Sequence, residues 1–143
     1  MYYIDTSVLV AYYCPEPCAD KADDFLSETD TPYISILTEI EIFSALSRKL
    51  RNKEMDQTAA KRIAARFLLH LEGHYYKYLP LGANHYALAR EWISQFRLPL
   101  KTLDALHLAL ASCENLTIVT LDRQLHQNAK KLEIKSLLLD EQR

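Results

Sequence analysis

The chain has 143 residues and a formal net charge of −2, with 49% hydrophobic and 25% charged residues. That balance suits one domain over residues 1–143 with a single good core, and it is too apolar for disorder. The charge argues against a general nucleic-acid coat protein, because such proteins are usually strongly basic. It does not exclude a nucleic-acid enzyme, since carboxylates gathered around a divalent cation leave the remaining surface more basic than the total suggests.

No apolar run approaches the roughly 20 residues of a membrane span. The N-terminus lacks the basic region and long apolar stretch of a secretion signal, so the expected location is the cytoplasm, with no membrane partner. Three cysteines, an odd number, agree with a reducing compartment. Cys14 and Cys18 in "CPEPC" have no second pair to complete a zinc site and read as unrelated free thiols. With two glycines in the chain, a Gly-rich phosphate loop or dinucleotide fingerprint is ruled out.

The opening "MYYIDTSVLVAYY" is an apolar run broken by Asp5, Thr6 and Ser7. Either a strand ends at Asp5 and these side chains cap a following helix, or a buried strand delivers a carboxylate to a site at its C-terminal edge. "YYIDT" reads as the strand. After a proline-bearing turn comes a helix over roughly 17–28, then a second short strand in "PYISI". Helices follow over about 37–51 and 55–73, the latter stopped by Gly73. "YKYLPL" is a third strand. Helices over about 83–97 and 102–114 are divided by "RLPLK", where Pro99 marks the break. "LTIVTLD" is a fourth strand with a short helix after it, and "IKSLLL" a last strand. This alternation predicts an α/β fold with a central, mainly parallel sheet of four to five strands flanked by helices. Sites in such sheets form at the C-terminal strand ends.

Asp122 falls just past the β-branched run Thr117–Val119, so the first and fourth strands finish alike, with a carboxylate beside a hydroxyl. Alone it reads as a helix cap, but adjacent parallel strands would bring it close to Asp5. Asp104 stands in the first turn of "TLDALHLALASC", with Thr102 as a candidate N-cap. The segment from Leu103 to Ala111 is so apolar that the helix should be buried on most sides. A carboxylate at its head is favoured by the helix dipole yet calls for a partner of opposite sign. His107, Leu108 and Ala111 share its face, with no Lys or Arg among them, so a bound cation is the economical answer. His107 could assist, but it reads first as a hydrogen-bonded core residue. In "ISILTEIEIFSALSRKL", Ile36, Ile40, Phe43, Leu46 and Leu50 lie on one arc with Glu39 nearer to it. Glu41 lies on the other side with Leu37, Ser44 and Arg48. Periodicity leaves both glutamates open.

These segments, in order and over almost the whole chain, resemble the PIN-domain family, especially the stand-alone ribonuclease toxins of the VapC type. "YIDTSVLVAY" is similar to the family's opening strand. "ISILTEIEIFSALSR" is similar to the segment in which a glutamate stands three after a threonine and seven before an arginine, a register that selects Glu41 between Thr38 and Arg48. "LDALHLALA" carries Asp104, and "IVTLDRQL" carries Asp122 after Thr120. Leu125 departs from the aromatic that the fourth motif often holds, and the family's fourth acidic position is its most variable.

The resemblance implies a single PIN-like domain in which Asp5, Glu41, Asp104 and Asp122 form a catalytic, metal-holding cluster. Thr6 and Thr120 would be hydroxyls that orient the carboxylates. It implies a metal-dependent endoribonuclease, the toxin of a type II toxin–antitoxin pair. It also implies a homodimer inhibited by a small antitoxin whose tail enters the acidic groove. The chemistry agrees. Crowded carboxylates raise one another's pKa unless a cation is present. Oxygen-only ligands suit Mg²⁺ or Mn²⁺, which polarise a phosphoryl oxygen and activate water. By the same repulsion, Glu41→Gln should abolish cleavage and leave stability nearly unchanged. Arg48, Lys49, Arg51 and Lys53 cluster near the end of the helix bearing Glu41, and Lys101 and Arg123 flank two motifs. Arg48, Lys101 and Arg123 are candidates to hold RNA phosphates, against a merely solvated surface. Tyr12, Tyr13, Phe67, Tyr86, Trp92 and Phe96 read singly as core residues, but a chain with nine tyrosines can spare some aromatics for an interface.

A haloacid-dehalogenase-type phosphatase would need an aspartate where Ser7 stands. A receiver domain would need paired acids near the first strand and a late lysine. A PIN-like nuclease outside a toxin pair and a catalytically silent PIN binding module are the remaining alternatives. The complete carboxylate set argues against silence.

Overall fold

Five short strands, all parallel, make the sheet of this computed structural model, which describes residues 1–139. In chain order the elements are β1 (Tyr2–Ile4), α1 (Thr6–Tyr13), α2 (Ala19–Ser27), β2 (Tyr33–Ser35), α3 (Ile36–Arg51) and α4 (Gln57–Glu72). Then come β3 (Lys77–Leu79), α5 (Ala83–Ser94), α6 (Thr102–Cys113), β4 (Thr117–Thr120), α7 (Arg123–Lys131) and β5 (Ser136–Leu138). The strand order is β3-β2-β1-β4-β5. The chain builds outward from β1 to β3 on one side, then crosses to lay β4 and β5 on the other. The reversal falls between β1 and β4, and in open α/β sheets a crevice opens there at the C-terminal strand ends.

Alternation along each strand divides the core into two layers. Tyr3 and Ile118 point to the layer built with α5, α6 and α7. Ile4, Ile34 and Val119 point to the layer built with α1, α2, α3 and α4. Helix α6 is buried from Ala105 through Ala111, as its apolar wheel predicts. Each fully buried leucine contributes about 1.5–3 kcal/mol, so Leu108 and Leu110 hold the head of α6 firmly in place.

Two sequence expectations need correction and two hold. The strand ends at Ile4 and the chain turns into α1 immediately after it, with Asp5 as N-cap, as the capping reading has it. The arc Ile36, Ile40, Phe43 is exposed at 48%, 66% and 37%. A helix with two apolar stripes can bury only one against a sheet, and here that stripe is Leu37, Ile42, Ala45 and Leu46. Thr102 is the first residue of α6 and not its cap; Lys101 holds that position without a side-chain cap bond. Gly73 does cap α4, but with φ −81°, and the left-handed φ of 59° falls on His74. Among the described residues no helix is long and apolar enough to cross a membrane, and Cys14, Cys18 and Cys113 are free.

Candidate active site

The C-terminal ends of β1 and β4 are tied together by backbone and hydroxyls. The Asp5 amide donates to Val119 O at 2.9 Å. The Asp5 side chain is buried and its Oδ2 accepts from Thr120 Oγ1 at 2.8 Å and Ser7 Oγ at 2.6 Å. Thr120 Oγ1 in turn accepts from the Asp122 amide at 3.0 Å, and Ser7 Oγ from the Leu121 amide at 3.0 Å. Thr120 therefore orients Asp5, while Thr6, the other hydroxyl singled out in the sequence, serves a different carboxylate. The hydroxyl behind Asp5 is Ser7, which the sequence offered only as a cap.

Thr6 Oγ1 donates to Glu41 Oε1 at 2.6 Å. His107 Nε2 lies 2.5 Å from the same oxygen. Glu39 points elsewhere and accepts from Tyr78 OH at 2.7 Å on the outer surface. The two glutamates that periodicity could not separate are thus separated by α3 itself: two residues, about 200° of turn, send one carboxylate to the strand ends and the other to the far side of β2. Burial pushes the Glu41 carboxyl up, but the hydrogen bond and charge of His107 and the bond from Thr6 outweigh it, and the carboxyl is held below the usual range. His107 is buried on α6, which opposes its charged form. The Glu41 hydrogen bond and the charges of Asp5, Glu41 and Asp104 overcome this and raise it.

Asp104 is half-buried in the first turn of α6, and its carboxyl is pushed up to about 6. Burial is the largest cause, followed by the charges of Asp5 and Asp122, against a smaller pull from His107 and Lys101. That mutual effect places Asp5, Asp104 and Asp122 in one electrostatic neighbourhood. Asp122 is exposed and caps α7, its Oδ1 accepting from the amides of Gln124 at 2.8 Å and Leu125 at 3.2 Å. The capping reading and the clustering reading hold together.

Beside these acids lies an open cleft of about 590 Å³ whose walls include Thr6, Ser7, Glu41, Ser44, Arg48 and Leu103. Arg48 therefore faces the space next to Glu41. Lys49 also lines it, but is engaged by Glu16 and, at 3.3 Å, by Glu54. Lys101 and Arg123 are exposed at the heads of α6 and α7. Arg51 turns back to Ser47 Oγ at 2.8 Å.

The donor set is all oxygen and hard, which fits Mg²⁺ or Mn²⁺. Among the described residues no group of three or more His, Cys, Asp or Glu side chains is arranged to hold a metal ion as it stands. Neighbouring carboxylates repel, and Asp5 is drawn toward hydroxyls, Glu41 toward a hydroxyl and an imidazole, and Asp122 toward amides. Mg²⁺ needs only one or two carboxylates and fills its shell with water and substrate phosphate, so the fit rests on donor chemistry and proximity.

A family model for the PIN domain matches residues 2–131. The chain belongs to the PIN-domain family, a family of nucleases. Among solved structures, FitAcB from Neisseria gonorrhoeae is similar with a TM-score of 0.76 at 18% identity, covering 97% of this chain and 98% of that one. VapC20 from Mycobacterium tuberculosis, a sarcin–ricin loop cleaving toxin, gives 0.72 at 17%, covering 90% and 95%. A toxin–antitoxin complex from Klebsiella pneumoniae gives 0.63 at 16%, covering 85% and 87%. No curated protein is matched.

Proposed function

We propose that this PIN domain, taking in residues 1–143, is a Mg²⁺- or Mn²⁺-dependent endoribonuclease. In our reading it is the toxin of a type II toxin–antitoxin pair, a cytoplasmic homodimer restrained by a small antitoxin. The observation that carries the nuclease is Asp104: a carboxyl at the head of a buried helix, raised to about 6 by burial and by Asp5 and Asp122 in the crevice between β1 and β4. Like charges are assembled at such cost where a cation is to be bound. The sarcin–ricin loop cleavage by VapC20 and the toxin–antitoxin complex from Klebsiella supply the substrate class and the partner by analogy of fold.

Asp5, Glu41 and Asp104 would hold the ion, with Asp122 beside them at the rim. The bound ion supplies charge compensation at the phosphate and activation of water. Ser7 and Thr120 fix the direction of the Asp5 carboxylate through their hydroxyl bonds to Oδ2. Arg48 in the cleft offers a fixed charge to a phosphate of the RNA strand, and Lys101 and Arg123 offer two more at its ends.

The test is cleavage of a structured RNA in Mg²⁺ by wild type, Glu41→Gln and Glu39→Gln. Cleavage should vanish with Glu41→Gln, survive Glu39→Gln, and stop on chelation. Cleavage by Glu41→Gln at the wild-type rate would refute the assignment.

A further inference from the structure

Glu41 lies at the end of a buried hydrogen-bond circuit that leaves α3 and returns to it. Ser35, the N-cap of α3, accepts from the Leu37 amide at 3.1 Å. Its Oγ lies 2.8 Å from Tyr3 OH on β1. Tyr3 OH lies 2.6 Å from His107 Nδ1 on α6, and His107 Nε2 lies 2.5 Å from Glu41 Oε1, six residues after Ser35 on the same helix. Ser35, Tyr3 and His107 are all essentially inaccessible to solvent.

The direction of the last bond is fixed by chemistry. An ionised carboxylate only accepts, so Nε2 carries the proton that faces Glu41. With His107 neutral, Ser35 donates to Tyr3 and Tyr3 to Nδ1; with His107 charged, Nδ1–H donates to Tyr3 and Tyr3 to Ser35, so the imidazole is satisfied in either state. Thr6 reaches the same Oε1 from α1. Two donors on one oxygen, from two different helices, fix the plane and rotamer of the carboxylate and leave Oε2 as the oxygen neither of them uses.

We infer that His107, steered by Tyr3 and Ser35, is a positioning residue that presents Glu41 to the cation, an inference that rests on the metal-dependent reading above. The partner that satisfies this buried imidazole, Glu41, is also a wall of the cleft.

The experiment measures Mn²⁺ affinity by calorimetry and the separation of kcat from KM on RNA, using His107→Asn, His107→Gln and Tyr3→Phe. Asparagine is too short to reach Glu41, whereas glutamine places an amide N–H near the position of Nε2. His107→Asn should weaken Mn²⁺ binding by about 10–100-fold and lower kcat with little change in KM. His107→Gln should recover most of both. Tyr3→Phe keeps the core ring and removes only the hydroxyl that steers the imidazole, so it should give an intermediate loss. It also serves as the test should His107→Asn fail to fold. Variants that lose thermal stability yet bind Mn²⁺ as wild type does would overturn the positioning role. So would equal affinities for His107→Asn and His107→Gln. Failure of the metal reading is told apart by Asp5→Asn: if it binds Mn²⁺ as wild type does, the site itself lies elsewhere and both proposals fall.

Discussion

Asp104 feels burial and two aspartates at once, and its effect on stability has a definite sign. Its folded carboxyl is raised from 3.8 to about 6, so between those values the native state binds more protons than the unfolded chain. Stability contributed by the protonated form is complete below about 4 and is lost as pH rises to 6. In chelator, Asp104→Asn should therefore melt above wild type at pH 7, by about 2–4 °C for each kcal/mol relieved, and the gap should close toward pH 4. A gap that widens at low pH would contradict the clustering. Glu41 goes the other way. Simple repulsion suggests that Glu41→Gln is neutral, but the carboxyl is held low by His107 and Thr6, and bonds to a charged acceptor are worth about 1.5–3 kcal/mol. Glu41→Gln should lower stability at pH 7 by about 1–2 kcal/mol in denaturant unfolding, a loss that fades at acid pH where Glu41 itself is protonated. Asp5, Asp104 and Asp122 are legible in the sequence because each breaks an apolar segment at a point where strands end or helices begin. The choice of Glu41 needed a family register, since periodicity reports which stripe is apolar and not which polar residue turns toward the sheet edge. The His107 link was illegible, because it joins residues 66 apart through a core that only the fold assembles.

Helix α3 serves two purposes at once. Its inner stripe of Leu37, Ile42, Ala45 and Leu46 packs into the molecule and aims Glu41, while Ile36, Ile40 and Phe43 stand on the outside. Ile42→Ala should cost about 2–5 kcal/mol in denaturant unfolding, as expected of a core truncation. Ile40→Ser, exposed at 66%, should change stability by no more than about 0.5 kcal/mol. A large loss from Ile40→Ser would mean that this stripe is packed in the monomer after all. Most elements were readable from apolar runs and punctuation by proline and glycine. Helix α1 was the exception, because Val8, Leu9, Val10 and Ala11 are apolar at every position and carry no period. The hydroxyl cap was its one signal. The buried stripe of α3 is not readable for a related reason: two arcs of similar hydrophobicity differ only in what lies opposite them.

At the scale of the whole molecule, a five-stranded parallel sheet places its crevice between β1 and β4, where the chain carries its acids. Of the aromatic residues marked for an interface, Phe67 and Tyr13 are buried, Tyr12 and Trp92 half-buried, and Tyr86 and Phe96 exposed at 56% and 89%. Light scattering at micromolar concentration should give a dimer, and expression without a partner should slow growth. A harmless monomer that still cuts RNA would leave the nuclease and remove the toxin. Mg²⁺ or Mn²⁺ at about 100 times the dissociation constant should stabilise the fold by about 2.7 kcal/mol. The most direct measurement is Mn²⁺ calorimetry on wild type and on Asp5→Asn, whose amide oxygen can still accept from Ser7 and Thr120 and so preserve the fold. The expected result is saturable binding in wild type that disappears in folded Asp5→Asn. Equal binding in both would contradict a metal site at the ends of β1 and β4.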